Sequence, residues 1–180
     1  MVVAAVHRAT SELLGEAGYD ALELPDVATR AGVAKSTVYR RWPTKMHLVA
    51  DTMLATAAQA VLPADTGTLI DDLIALISDI VELLGSPAVR AALTGVTAGD
   101  LDPVAKAARE AFWNERFRCG AVIVDRAIAR GEIPAATSPR LLLEHACSPV
   151  YFRLLVTGDP VGPADIELFA RRAAAFPIAG

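Results

Sequence analysis

Apolar residues recur along this chain at the spacing of helices. Val6, Ala9, Leu13 and Leu14 return every three or four positions, which predicts one buried helix face over 3–17, and Gly18 ends the run. Val27, Ala28 and Ala31 follow Pro25, which suits a first helical turn because its missing N–H would find no partner there. Gly32 then stands where a left-handed residue closes a helix. Residues 35–42 predict a third helix with Val38 as its one clearly buried side chain, and Pro43 stops it. Thr44 is placed to cap a fourth, running to about 60 with Leu48, Val49, Thr52, Met53 and Ala57 as its stripe. Tyr19, Leu22 and Leu24, in the first linker, are expected to plug the core between these helices.

A turn-forming cluster at 63–67 marks a boundary. Past it, Leu69, Ile70, Leu73, Ile74, Ile77, Ile80, Val81 and Leu84 give the cleanest periodicity in the chain, with Asp71, Asp72, Asp79 and Glu82 expected on the other side. Ser86-Pro87, Asp102-Pro103 and Ser138-Pro139 each read as an N-cap followed by a first helical residue. They open helices to about 98, 130 and 157, the last two stopped by Gly131 and Gly158, and a final helix is expected over 163–176. No run alternates convincingly with period two over strand length, so the predicted fold is all-α. It divides into an N-terminal three-helix helix-turn-helix domain over 1–50 and a C-terminal helical regulatory and dimerisation domain over 51–180.

Composition agrees with this and adds little: 53% of residues are hydrophobic, and 35 alanines among 180 favour close helix packing. Charge changes the picture more. The net charge of −4 argues against nucleic acid until the chain is divided, when residues 1–50 carry +1 and residues 51–180 carry −5. Between Arg30 and Lys45 there are five Lys or Arg and no acid. Cys119 and Cys147 have no metal-ligand spacing and read as buried free thiols. Val2-Val3-Ala4-Ala5-Val6 is too short for the core of a secretion signal, and no uncharged stretch reaches membrane-spanning length. A soluble cytoplasmic protein with no membrane partner is expected.

The helix over 35–42 has too little apolar surface to serve as core filling. Its other positions hold Lys35, Ser36, Thr37, Tyr39, Arg40 and Arg41, donors of several lengths on an outer face. A helix of this kind, held at a fixed angle by a partner helix, is what a DNA major groove accepts. The run AGYDALELPDVATRAGVAKSTVYRRWPTKMHLV resembles the DNA-binding domain of TetR-family transcriptional regulators. The matching elements are Gly18-Tyr19, Asp26-Val27-Ala28, Ala31-Gly32-Val33, Ser36-Thr37-Val38-Tyr39-Arg40 and Trp42-Pro43-Thr44-Lys45, all in about the first 50 residues. Three features depart from the family pattern. Leu22 and Ala34 stand where Ser or Thr is common, and no basic arm precedes the first helix, leaving only Arg8 and His7 to serve.

The resemblance implies a repressor-type regulator that binds double-stranded DNA at a palindromic operator as a homodimer and answers to a small-molecule effector. Lys35, Thr37 and Arg40 are the candidates for base edges, and Ser36, Tyr39, the Trp42 indole N–H and Lys45 for phosphates. Phe112, Trp113, Phe117, Cys147, Tyr151 and Phe152 are the candidates for an apolar effector pocket, against ordinary core as the plain alternative. The segment 138–157 is apolar nearly all round, with Pro149 expected to kink or break it; with the last helix it predicts half of a four-helix dimer interface, where family members also dimerise. His145 and Arg153 are the polar groups on that segment.

Nothing points to catalysis: the three histidines are far apart in sequence, and no Gly-x-Ser-x-Gly, phosphate loop or zinc-binding His pair occurs, so no catalytic residue, metal or cofactor is expected. The alternatives to a regulator are a helical scaffold dimer, which leaves the basic helix unexplained, and an enzyme of scattered residues.

Overall fold

A computed structural model of the chain describes residues 2–57, 63–97 and 103–175. The helix ends expected at 60, 98 and 176, and the Asp102 cap, lie outside those residues. The fold is all-α, and among the described residues there is no strand. Its helices are α1 (Val2–Ala17), α2 (Leu24–Ala31), α3 (Lys35–Arg41), α4 (Lys45–Ala57), α5 (Leu69–Gly85), α6 (Pro87–Thr97), α7 (Pro103–Ala129), α8 (Pro139–Tyr151) and α9 (Pro163–Ala175).

The chain forms two compact units, Met1–Gln59 with Leu84–Trp113 and Ala60–Leu83 with Asn114–Gly180, so that α7 contributes to both. In the first, α1 packs on α2, α4 and α6 around Val6, Leu14, Leu22, Val27, Val38, Leu48 and Val49, all at most 2% exposed. Leu22 and Leu24 are buried as core plugs, while Tyr19 is half-buried and lies against α6. A Cβ on Gly95 of α6 would overlap the Tyr19 ring, so the close approach of helix and turn depends on the missing side chain.

In the second unit α8 packs on α9, with Leu142, Leu143, Ala146 and Val150 of α8 and Ile166, Phe169, Ala170 and Ala173 of α9 buried. Ser138 caps α8 by accepting the Leu141 N–H at 3.4 Å. Pro149 does not break the helix. The chain continues to Tyr151 and then widens into a π-helical turn, Phe152–Thr157, which Gly158 ends in the left-handed conformation at φ 75°.

Asp72 is the main departure from the expected burial pattern. It follows Leu69 by three positions, which puts it on the core face of α5, and it is fully buried. The fold satisfies it: Oδ1 accepts the Thr66 N–H at 2.7 Å and the Thr66 hydroxyl at 2.6 Å, and Oδ2 accepts from Arg130 Nη2 at 3.2 Å. Glu132 completes the network by accepting the Leu69 N–H at 2.7 Å and pairing with Arg130. Burial alone would raise the Asp72 pKa, but the Thr66 donors and the Arg130 guanidinium hold it below the ordinary carboxylate value.

Candidate nucleic-acid interface

Two helices and a tight turn position the candidate DNA-contacting side chains. Gly32 ends α2 in the left-handed conformation, φ 67°, and the Val33 N–H returns to the Ala28 carbonyl at 3.0 Å, which turns the chain sharply into α3. As expected, α3 is held by one side chain, Val38, at 0% exposed. Ala34 stands at its N-cap with no side-chain hydrogen bond. Lys35, Ser36, Tyr39 and Arg40 are exposed, Thr37 is half-buried, and no side-chain hydrogen bond or ion pair engages any of them among the described residues.

Two expectations about this region do not hold. The Trp42 indole N–H is not open to a phosphate: the ring is 3% exposed and Nε1 donates to Asp51 Oδ2 on α4 at 2.8 Å. His7 is likewise taken, with Nε2 3.2 Å from the same oxygen and its ring 5.8 Å from that of Trp42. The run of five cations is also thinner than its sequence suggests. Arg30 donates to Glu16 of α1 at 2.8 and 2.9 Å, and that bond holds the Glu16 carboxyl below its usual pKa. Arg41 leans over the Trp42 ring, 5.3 Å from its centroid, with Nε 3.9 Å from Asp51. Acids absent from the local sequence arrive from α1 and α4. Lys45 uses one ammonium N–H to donate to the Asp20 carbonyl at 2.8 Å, above the Tyr19 ring, which leaves two further N–H donors. Thr44 caps α4 by accepting the His47 N–H at 3.3 Å.

The candidate pocket residues are divided between the two units. Phe112 and Trp113 belong to the first unit, where their rings meet edge to face at 5.1 Å and Phe112 packs near Ala50 and Met53 of α4. In the second unit Phe117 lies under the Arg140 guanidinium at 4.3 Å. Cys147 and Tyr151, four positions apart, share one side of α8, and burial pushes both up to about 12, with Arg116 close enough to oppose that shift. Phe152 is 58% exposed, because the next residue on a helical turn faces away from its neighbour. Both cysteines are free thiols, as expected, but only Cys119 is buried and Cys147 is half-buried. Arg153 is satisfied within the fold by Asp165 at 2.8 Å.

Leu141, His145, Ser148 and Phe152 recur at helical spacing on the outer side of α8, all exposed. Between α8 and α9 a depression of about 480 Å³ is lined by Leu141, Glu144, His145, Ser148, Pro149, Phe169 and Arg172. Leu168 on α9 and Val156 beyond α8 add further exposed apolar surface.

The profile described as bacterial regulatory proteins, tetR family, matches residues 7–52, and that described as tetracyclin repressor-like, C-terminal domain, matches residues 63–173. The chain belongs to the TetR family. It is an HTH-type transcriptional regulator by that membership. Among its relatives is the uncharacterized HTH-type transcriptional regulator Rv1556 of Mycobacterium tuberculosis, 34% identical over 84% of this chain and 75% of that protein. YdeS of Bacillus subtilis, also an uncharacterized HTH-type transcriptional regulator, is 29% identical over 91% of this chain and 83% of its own. The crystal structure of the TetR-family regulator SCO0332 superposes with a TM-score of 0.80 over 97% of both chains at 28% identity. The fold is also that of FadR from Bacillus subtilis in complex with stearoyl-CoA, with TM-score 0.69 and 16% identity over 96% of this chain and 95% of that one. No helix among the described residues of this TetR-family chain is long and apolar enough to cross a membrane.

Proposed function

We propose that this TetR-family regulator is a cytoplasmic homodimeric repressor, not an enzyme, that binds a palindromic operator and is released from it by a small apolar or amphipathic ligand. The observation that carries the DNA reading is the outer face of α3, where Lys35, Ser36, Tyr39 and Arg40 stand exposed beside Thr37 with no acid engaging them. Lys35, Thr37 and Arg40 read base edges; Ser36, Tyr39 and Lys45 hold phosphates. In functional terms residues 1–50 bind DNA, and residues 51–180 dimerise and bind the effector.

The dimer reading rests on the apolar residues that α8, the π-helical turn after it and α9 turn outward, Leu141, Phe152, Val156 and Leu168. The effector reading rests on the half-buried side of α8, where Cys147 and Tyr151 lie near the Arg116 charge. That combination suits a ligand with an apolar body and one polar or acidic group. FadR is bound to stearoyl-CoA, but at 16% identity that likeness speaks for the fold and not for this chain's ligand.

The experiment is selection of duplexes from a random library by the full chain, followed by anisotropy titration with amphipathic acids present. An enriched palindrome is expected, with operator affinity falling as the acid binds and acid affinity falling by the same factor when operator is present. A library in which no site is enriched overturns the DNA reading. An acid that binds saturably without moving operator affinity overturns the effector reading.

A further inference from the structure

A recognition helix fastened by one valine has a second constraint at its far end, and that constraint is chemical as well as steric. Trp42 follows α3 directly, and its indole N–H is 2.8 Å from Asp51 Oδ2. The same oxygen lies 3.2 Å from His7 Nε2 of α1 and 3.9 Å from Arg41 Nε. One carboxylate oxygen of α4 thus gathers the end of α3 and the side of α1. We propose that Asp51 is a positioning residue for operator recognition, clamping the end of α3 to α4 and α1 so that Lys35, Thr37 and Arg40 meet the groove at one fixed angle.

The physical reason lies in how little else constrains α3. Val38 anchors the helix at one point of its face, and a seven-residue helix pinned at one point is free to rock about it. The Trp42 ring supplies packing, but packing alone leaves a buried N–H that requires an acceptor. Only Asp51 provides one among the described hydrogen bonds of that indole. Base-edge hydrogen bonds demand exact placement, whereas phosphate contacts from long side chains tolerate small rotations. The clamp therefore acts on specific binding and leaves non-specific binding nearly alone.

The site also suits the experiment. Asp51 borders a cleft of about 430 Å³ lined by Arg41, Trp42, Pro43, His47, Leu54, Ala105 and Ala108, and its side chain is 36% exposed. Truncating it widens an open cleft and leaves no sealed cavity in the core. Asp51→Asn retains an oxygen that accepts the indole N–H and turns its amide N–H₂ to solvent. Trp42→Phe keeps an aromatic ring in the core and removes the donor alone.

This inference rests on the DNA-binding reading above, and its test keeps the two apart. Operator and unrelated duplex are titrated with wild type, Asp51→Ala, Asp51→Asn, Trp42→Phe and the Asp51→Ala/Trp42→Phe double variant. Solvent exchange of the two tryptophan indole protons is followed by NMR, with Trp42→Phe assigning the signals. Asp51→Ala is expected to lower operator affinity about tenfold, the scale of losing the part-buried bond to the Trp42 indole. Affinity for unrelated duplex should change by less than about twofold. Asp51→Asn should restore operator affinity, and the double variant should be no weaker than Asp51→Ala, because the indole bond that Trp42→Phe removes is already lost there. The Trp42 indole proton should exchange slowly in wild type and fast in Asp51→Ala.

Wild-type operator affinity in Asp51→Ala with the indole proton exposed overturns the clamp. So does a loss shared equally by operator and unrelated duplex, or additive losses in the double variant. If Asp51→Ala does not fold, Asp51→Asn and Trp42→Phe still decide: wild-type affinity in Trp42→Phe overturns the proposal, and a tenfold loss there with retention in Asp51→Asn supports it. A wild type that selects no operator is instead the failure of the DNA-binding reading.

Discussion

The outer face of α3 and the outer side of α8 and α9 are both incomplete in a single chain, and they are incomplete in opposite ways. On α3 the exposed residues are cations and hydroxyls, with Val38 buried, Thr37 half-buried and Trp42 buried just after the helix. On α8 and α9 the exposed residues include Leu141, Phe152 and Leu168, although Leu142, Leu143, Val150 and Phe169 already fill the interior. The first surface asks for an anion that it need not exclude from water. The second asks to be removed from water. On the proposed reading a polyanion completes the one and a second copy of the chain completes the other.

The largest effect should come from charging the apolar side. Leu168→Glu, alone or with Leu141→Glu, is expected to cost the dimer roughly 4 kcal/mol or more, because in a two-fold interface each substitution buries two carboxylates, one from each protomer. Sedimentation at micromolar concentration reads this directly, and a variant that stays dimeric would show that these residues are not the interface. Phe169 is a poorer choice for the test, since at 7% exposed it already belongs to the monomer's core.

A change in the interior of the same unit, away from both faces, sharpens the contrast. Asp72→Ala leaves both Thr66 donors without their acceptor, removes one of the carboxylates paired with Arg130, and should lower stability by about 3 kcal/mol, measured by urea unfolding with circular dichroism. The pH dependence of wild type carries the same signature. Because the folded Asp72 pKa lies below the unfolded value of about 3.9, its stabilisation is complete above that value and is lost as pH falls through the lower folded value. Wild type should therefore steepen its loss of stability below about pH 4, and Asp72→Asn should flatten that limb.

Smaller effects belong to the polar face. Arg40→Ala should weaken binding to a selected operator by about 2 kcal/mol and relax discrimination at one base position, without changing the melting temperature. Equal losses on all sequences would move Arg40 from base reading to phosphate contact. Lys45→Ala should have the least effect, weakening every duplex alike by under about 1 kcal/mol and reducing the slope of affinity against salt by about one. An unchanged slope would mean that Lys45 serves only its bond to the Asp20 carbonyl and its place over Tyr19.

Local chemistry was enough to mark several of the helix ends among the described residues. Gly32 and Gly158 adopt the left-handed conformation at their expected stops, Ser138 and Thr44 cap the helices they precede, and Pro87, Pro103, Pro139 and Pro163 stand at the first helical positions. These signals act on backbone torsions and on N–H groups two or three residues away, so they are legible without a fold. The polar outer face of α3 was legible for the same reason, as a property of one short helix. Tertiary structure decided which charges remain available and which are spent. Arg30 meets Glu16 across 14 positions, Trp42 meets Asp51 across 9, His7 meets Asp51 across 44, and Asp72 meets Arg130 across 58. None of these separations is a helical period, and no propensity encodes them. An ion pair or a buried N–H depends on distance through space, and only the packing of α1, α4, α5 and α7 brings those groups within reach.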